Sequence, residues 1–214
     1  HLSEKGATPL LEAGHALANA FTYIQSAVDR GADIDTVAPG LNFFTAIRHT
    51  NFFEEIAKHR AMRRVYARVL KNRFGAKNPR SLTCRLVPAQ GGIDLYREQY
   101  LNNISRITIC AMEAALAGVQ AMGLASYDEQ FGIPTVEANI NALRCQQIVG
   151  YETGIPDVID PLAGSYYVEC LTSEFEEGIM KEIQKIEQMG GVLKGIEQGY
   201  FQRTYAENAY RIQK

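Results

Sequence analysis

Leu41-Asn42-Phe43-Phe44-Thr45-Ala46-Ile47, entered from Pro39-Gly40 and left toward a helix capped at Asn51, is the stretch that decides the fold. It carries no charge, is rich in aromatic residues and comes after a turn pair, so it reads as a buried strand. Beyond it, helical and extended signals alternate. A helix is expected from Asn51 to about Arg73, with Phe52, Ile56, Met62, Val65, Tyr66 and Val69 on its apolar side. Its solvated face would carry Glu54, Glu55, Lys58, Arg60, Arg64, Arg68 and Lys71, a mixture of signs rather than a nucleic-acid patch. Leu82 to Val87 reads as a second strand, closed by Pro88 and Gly91-Gly92. Asn102 or Asn103 caps the helix after it, with Ile104, Ile107, Met112 and Leu116 facing inward. Val119 to Leu124 is a third, weaker strand. Thr135 opens a helix to about Glu152, ended by Gly154 and Pro156.

Upstream, Thr8 to Arg30 spaces Leu10, Ala13, Leu17, Phe21, Ile24 and Val28 at helical steps. Downstream, Tyr166-Tyr167-Val168 reads as extended. Ser173 with Glu176 forms a capping box before a helix bearing Phe175, Ile179, Ile183 and Ile186. The order α, β, α, β, α, β, α and then a helical tail predicts parallel α/β architecture. Three clear strands are too few for a closed eight-stranded (β/α) barrel, but half of one with an appendage fits.

Composition narrows the function classes. The 214 residues are 46% hydrophobic and 21% charged, with a formal net charge of −2. A disordered chain and a general nucleic-acid binder are excluded by that balance. No apolar run reaches the length of a membrane span, and no basic start leads into an apolar stretch and a small-residue cleavage site. Cys84, Cys110, Cys145 and Cys170 form no C-x-x-C pair and no zinc spacing with a His, so no metal site is expected. They read as free, buried or half-buried thiols of a reducing compartment, which makes the expected location cytoplasmic, or the mitochondrial matrix in a eukaryote. The opening at His1, without Met, reads as a fragment or a processed piece.

In β/α architecture function collects where strands end and helices begin. Four such places are legible: around His1, Phe44 to Thr50, Val87 to Gly92, and Gly123 to Gly132. His1 is suited to donating a proton to a carbonyl oxygen, or is an ordinary terminal residue. His15 and His59 lie inside helices and read as surface or packing residues, while His49 sits at a strand-to-helix junction. Gly91-Gly92 admits a planar ligand close to the backbone, or is a tight turn. Arg80 clamps a phosphate, or is a solvated charge beside Lys77. Glu129 offers a carboxylate to ligand hydroxyls, and Asp128 beside it caps the local turn. These residues by themselves describe a ligand-binding β/α protein and name no reaction.

Several stretches go further. Asn51-Phe-Phe-Glu-Glu-Ile-Ala-Lys58, Phe74-Gly-Ala-Lys-Asn-Pro-Arg-Ser81, Leu101-Asn-Asn-Ile104, Ser126-Tyr-Asp-Glu129, Asp160-Pro-Leu-Ala-Gly-Ser-Tyr-Tyr-Val-Glu169 and Gly199-Tyr-Phe-Gln202 resemble the large catalytic chain of methylmalonyl-CoA mutase and related adenosylcobalamin-dependent acyl-CoA mutases. The resemblance runs from His1 to Lys214. It implies that residues 1–155 are the C-terminal half of an acyl-CoA-binding TIM barrel and 156–214 a mostly helical extension. The cobalamin domain would be absent, since its D-x-H-x-x-G signature does not occur. The implied reaction is a radical 1,2-rearrangement of an acyl-CoA, with adenosylcobalamin bound mainly by a domain or chain not present here.

The resemblance also assigns residues. His1 falls on a catalytic His that hydrogen-bonds the thioester carbonyl. Asn42, Phe44 and Arg80 fall on substrate-binding positions, Arg80 at the CoA phosphates. Gly92, Glu129 and Gly132 fall near the corrin and the adenosyl ribose. Departures are equally specific. A family His-x-Gln becomes Val87-Pro88-Ala89, an Arg-x-Ser becomes Gly40-Leu41-Asn42, and a Ser-Leu-His-Thr-Asn run becomes Ala121-Met122-Gly123-Leu124-Ala125. Two readings fit such a pattern: a mutase for a different, more apolar acyl-CoA, or a non-catalytic partner subunit of a heteromeric mutase. Uncovered strand edges of a half barrel would also require a second copy or a partner chain.

Overall fold

A computed structural model describes residues 2–213, so His1 lies outside the described residues. Eight α-helices carry most of the chain: α1 (Pro9–Val28), α2 (Ile34–Val37), α3 (Phe52–Asn72), α4 (Asn103–Leu116), α5 (Val136–Glu152), α6 (Tyr166–Gln188), α7 (Val192–Glu197) and α8 (Tyr200–Gln213). No helix among the described residues is long and apolar enough to cross a membrane. The described residues form two compact units, one from 2–43, Lys58–Arg85 and 170–213, the other from Phe44–Ala57 and Leu86–Glu169.

The expected helices form where their caps put them. Thr8 accepts from Leu11 N at 3.3 Å and Pro9 takes the first helical position of α1, where its missing N–H costs nothing. Thr135 opens α5 by accepting from Ala138 N at 3.2 Å. Three expectations need correction. Asn102 makes no side-chain cap bond at the start of α4, and the inward face of that helix, where Ile107 is buried and Ile104 and Leu116 pack on the core as expected, also takes in Cys110, Ala111 and Ala114. Ser173 lies inside α6, which starts seven residues earlier. There the Ser165 carbonyl accepts from Glu169 N at 2.9 Å, and Val168 buries against Ile56 and Ala117. That burial overrides the strand preference of Tyr166-Tyr167-Val168.

The strands also need correction. The regular α/β ladder does not form: among the described residues the three expected strands are extended segments touching at two isolated parallel bridges, Ala46 with Ala89 and Ala89 with Gly123. The middle segment explains why. Pro88 has no N–H to donate, and Gly91 leads straight into a 3-10 turn over Gly92–Asp94, which keeps the pairing short. It begins inside the predicted strand, where Phe43 N donates to Arg85 O at 2.8 Å and Gln120 N to Leu86 O at 3.1 Å, and runs on past the predicted end at Val87. Along this seam Ala89 N donates to Thr45 O at 2.8 Å, Gly123 N to Pro88 O at 2.9 Å, and Gln90 N to Gly123 O at 2.8 Å.

In the first unit α1 is the central element, with Leu17, Phe21 and Ile24 buried. The solvated face expected for α3 is partly buried instead: Lys58 and Arg60 are enclosed, and Lys58 Nζ meets Glu12 Oε2 at 2.8 Å. His15 is likewise a core residue. Its Nε2 lies 2.9 Å from Glu182 Oε1 and its Nδ1 2.6 Å from the Tyr205 hydroxyl. A carboxylate only accepts, so Nε2 carries a proton and donates to Glu182. Tyr200 donates to the same Glu182 oxygen at 2.6 Å. Burial pushes the Glu182 carboxyl up, but bonds from His15 and Tyr200 and the nearby Lys185 hold it below its ordinary 4.5. A depressed folded value contributes stability above the ordinary value and loses it as the pH falls. Glu182→Gln therefore flattens the acid limb: wild-type stability drops from neutral pH to about pH 3 more steeply than that of the variant, as read by urea melts across that range.

Gly6 shows how tightly α8 closes on this unit. Its φ is +103°, and an added Cβ would stand 2.4 Å from Tyr205 O and 2.9 Å from Ala209 N, both backbone atoms that cannot swing aside. Gly6→Ala is expected to cost about 2 kcal/mol in a denaturation midpoint, from strain and overlap together.

Candidate functional site

The seam in the second unit gives the site its frame. Because its three segments run parallel, their continuations leave from one end: Ile47 to His49, Gln90 to Gly92, and Leu124 to Glu129. This is the end at which β/α proteins gather chemistry. Gly92 and the Glu129 loop are in contact there. A Cβ on Gly92 would stand 3.1 Å from Gln130 Nε2 and 3.4 Å from Glu129 Cγ, and Gln130 Nε2 donates to the Gly92 carbonyl. The glycine thus permits a close approach by the chain's own loop. Gly132, at φ +135°, turns the same loop.

Asp128 anchors that loop. Burial pushes its carboxyl up, yet Thr135 bonds it through both N and Oγ1 at 2.9 Å and holds the group below its usual value. Asp128 does not cap the turn it begins, where its side chain makes no cap bond; it ties the loop to Thr135 at the start of α5 instead. Phe44 opens the first segment of the unit and is 66% exposed, a large apolar ring left facing solvent.

Asn42 and Arg80 belong to the first unit and both are exposed. The loop carrying Arg80 is fixed by Asp35, whose carboxylate accepts from Lys77 N and Asn78 N, and by Asn78 Oδ1, which accepts from Arg80 N at 3.0 Å. A bond from Ser81 and those from Asn78 and Lys77 hold the Asp35 carboxyl below its usual value. The Arg80 guanidinium is therefore presented from a rigid turn. A surface groove of ≈ 410 Å³ in the same unit, floored by Phe21, Ile183, Ile186 and Val192, is lined by none of the expected site residues.

Three groups at the seam end are not legible in the sequence. Arg48 and Asp94 form a two-bond ion pair at 2.5 and 2.7 Å. His49, at its junction, has its imidazole pushed toward the neutral form by burial and by Arg106 and Arg48, against the opposing pull of Asp94. Asn103 ties two loops together: it accepts from Tyr96 N at 3.1 Å and donates to Tyr96 O at 2.8 Å and Tyr127 O at 2.9 Å. An Asn at a helix start signals a cap, and nothing in the spacing tells a cap from a loop tie. The cysteines are all free, three buried as expected and Cys170 exposed. Among the described residues no group of three or more His, Cys, Asp and Glu is arranged to hold a metal ion.

Comparison with known proteins bears on these loops. Residues 1–214 match the protein family described as methylmalonyl-CoA mutase. The chain is 46% identical over 210 residues to the 2-hydroxyisobutanoyl-CoA mutase large subunit of Aquincola tertiaricarbonis, covering 98% of this chain and 37% of that one. It is 39% identical over 213 residues to the mitochondrial methylmalonyl-CoA mutase of Homo sapiens, covering 100% of this chain and 28% of the relative. It is also 39% identical to the methylmalonyl-CoA mutase large subunit of Porphyromonas gingivalis, covering 100% and 30%. The chain therefore spans between 28% and 37% of the length of these relatives.

Proposed function

The chain belongs to the methylmalonyl-CoA mutase family, and from that premise we propose that it forms part of the catalytic chain of an acyl-CoA mutase, an isomerase. The observation that carries the reading is the family match over all 214 residues. In this reading residues 1–155 are the C-terminal half of a TIM barrel for acyl-CoA, and 156–214 its helical extension. The parallel seam at Ala46, Ala89 and Gly123 supports it, because three loops issue from one end of that seam.

Roles follow from chemistry. His1 hydrogen-bonds the thioester carbonyl, favouring the carbonyl group as it moves to the adjacent carbon. Asn42 and Phe44 flank the acyl group, one polar and one flat and apolar. Arg80 pairs with a CoA phosphate through its planar fork. Glu129, on the loop seated against Gly92, accepts from ligand hydroxyls, and Gly132 shapes that loop. Adenosylcobalamin, when bound, supplies the radical that starts the rearrangement. Gly92, Glu129 and Gly132 fit the hydrogen-bonding edge of such a cofactor. They do not fit as metal ligands, so its hold belongs to a cobalamin-binding domain or subunit. The word "subunit" in two relatives' names supports a heteromeric assembly. The place of work is then a bacterial cytoplasm or a mitochondrial matrix.

The test is an acyl-CoA titration of the full-length protein by calorimetry, followed by an isomerisation assay with adenosylcobalamin and the cobalamin-binding partner. Saturable acyl-CoA binding and cofactor-dependent formation of a rearranged acyl-CoA are expected. Absence of both overturns the reading.

A further inference from the structure

We propose that Gln90 is a specificity-determining residue whose carboxamide hydrogen-bonds an uncharged polar group on the acyl chain of the substrate thioester. The inference rests on the mutase reading and deepens it. Gln90 is 7% exposed, and both its Nε2 and Oε1 are closed off from solvent without a hydrogen-bond partner. Folded proteins rarely leave a buried amide with donor and acceptor both unmet, because each unmade bond costs free energy. The main chain here is not loose: Gln90 N donates to Gly123 O at 2.8 Å, next to the central bridge residue Ala89. The backbone is fixed while the side chain is uncommitted.

Sequence context sharpens the role. In Val87-Pro88-Ala89-Gln90-Gly91-Gly92 the only polar side chain is Gln90. Its neighbours supply apolar surface, and Ala125 adds more on the next segment. The two cationic groups named at this end are paired within the chain: Arg48 to Asp94, and Arg106 to Asn103 and the Tyr96 ring. His49 Nδ1 is a second buried atom without a partner, on a ring biased toward neutrality. These groups offer neutral donors and acceptors. A carboxamide both donates and accepts, so it matches a hydroxyl better than it matches a carboxylate. Turning the side chain about its χ angles toward the loop end would make the two missing bonds.

The experiment compares 3-hydroxybutanoyl-CoA with butanoyl-CoA on the full-length protein, wild type against Gln90→Met. Wild type is expected to bind the hydroxyl-bearing thioester roughly tenfold tighter, the scale of one neutral hydrogen bond. Gln90→Met is expected to lose that preference, keep its affinity for butanoyl-CoA, and melt no lower than wild type, since it removes an unpaired buried polar group. Should the Met variant fail to fold, Gln90→Asn withdraws the same amide by one methylene and is expected to shrink the preference. A preference that survives either folded variant, or that wild type never shows while binding both thioesters, overturns the role of Gln90 and leaves the mutase reading standing. Wild type binding neither thioester overturns both.

Discussion

Lys58→Ala is expected to lower the unfolding free energy by about 3–5 kcal/mol in urea melts, the range for removing one partner of a buried ion pair. Lys58 is 0% exposed, and its Nζ sits 2.8 Å from Glu12 Oε2, a carboxylate almost as deeply enclosed. Alanine would leave the Glu12 charge buried without its cation and open a cavity where three methylenes and the ammonium stood. The geometry also predicts an asymmetry. Replacing both residues with apolar side chains of similar volume, Lys58→Met with Glu12→Met, is expected to recover most of the loss, because two desolvation penalties disappear together. A single variant within about 0.5 kcal/mol of wild type would show that water reaches the pair and that the enclosure is not felt.

That ion pair also shows where sequence reading fails. Charge spacing on α3 alternates like a solvated face, and Lys58 and Arg60 fit it. Burial is decided by what packs on the helix, and the partner, Glu12, lies 46 residues away on α1. No local pattern encodes such a distance. His15 is a packing residue, one of the two readings its sequence position allows, but its neighbours Glu182, Tyr200 and Tyr205 come from α6 and α8 and no local pattern names them. Helix spans are more readable. Thr8 with Pro9, and Thr135, mark real starts because a cap is satisfied by atoms three residues away. Ser173 carries the same signature inside α6, where burial of Val168 has already begun the helix.

The seam is legible in outline and not in register. The runs at Leu41 to Ile47, Leu82 to Val87 and Val119 to Leu124 all contain paired residues, but the central bridge residue is Ala89, past the apolar run that ends at Val87. A proline and two glycines disguise that position, since both residue types normally announce a break. The loops beyond the seam are easier to place. Gly92 and Glu129, separated by 36 residues of sequence, lie in contact. Gln90 has no such signal: a lone Gln after an Ala makes no motif, and only its missing hydrogen bonds single it out.

Asn103→Ala is expected to cost about 3 kcal/mol and to loosen both loops of the seam end while the helices of the first unit keep their protection. Asn103 is 0% exposed and serves four contacts at once: Tyr96 N, Tyr96 O, Tyr127 O and the Arg106 guanidinium at 2.8 Å. Alanine removes the partner of two carbonyls and one N–H in part-buried bonds, and each unmet group carries a penalty of about 1 kcal/mol. Hydrogen exchange should accelerate over residues 93–101 and 124–132 and stay unchanged in α1 and α6. Asn103→Asp separates the contributions. It keeps both acceptor contacts, strengthens the one to Arg106 by charge, and loses both donations. The expected order of stability is therefore Asn, then Asp, then Ala. An Asp variant as weak as Ala would mean that the donations to Tyr96 and Tyr127 carry the whole effect. An Ala variant with unchanged exchange in the two loops would mean that Gly92 and Glu129 are held together without Asn103.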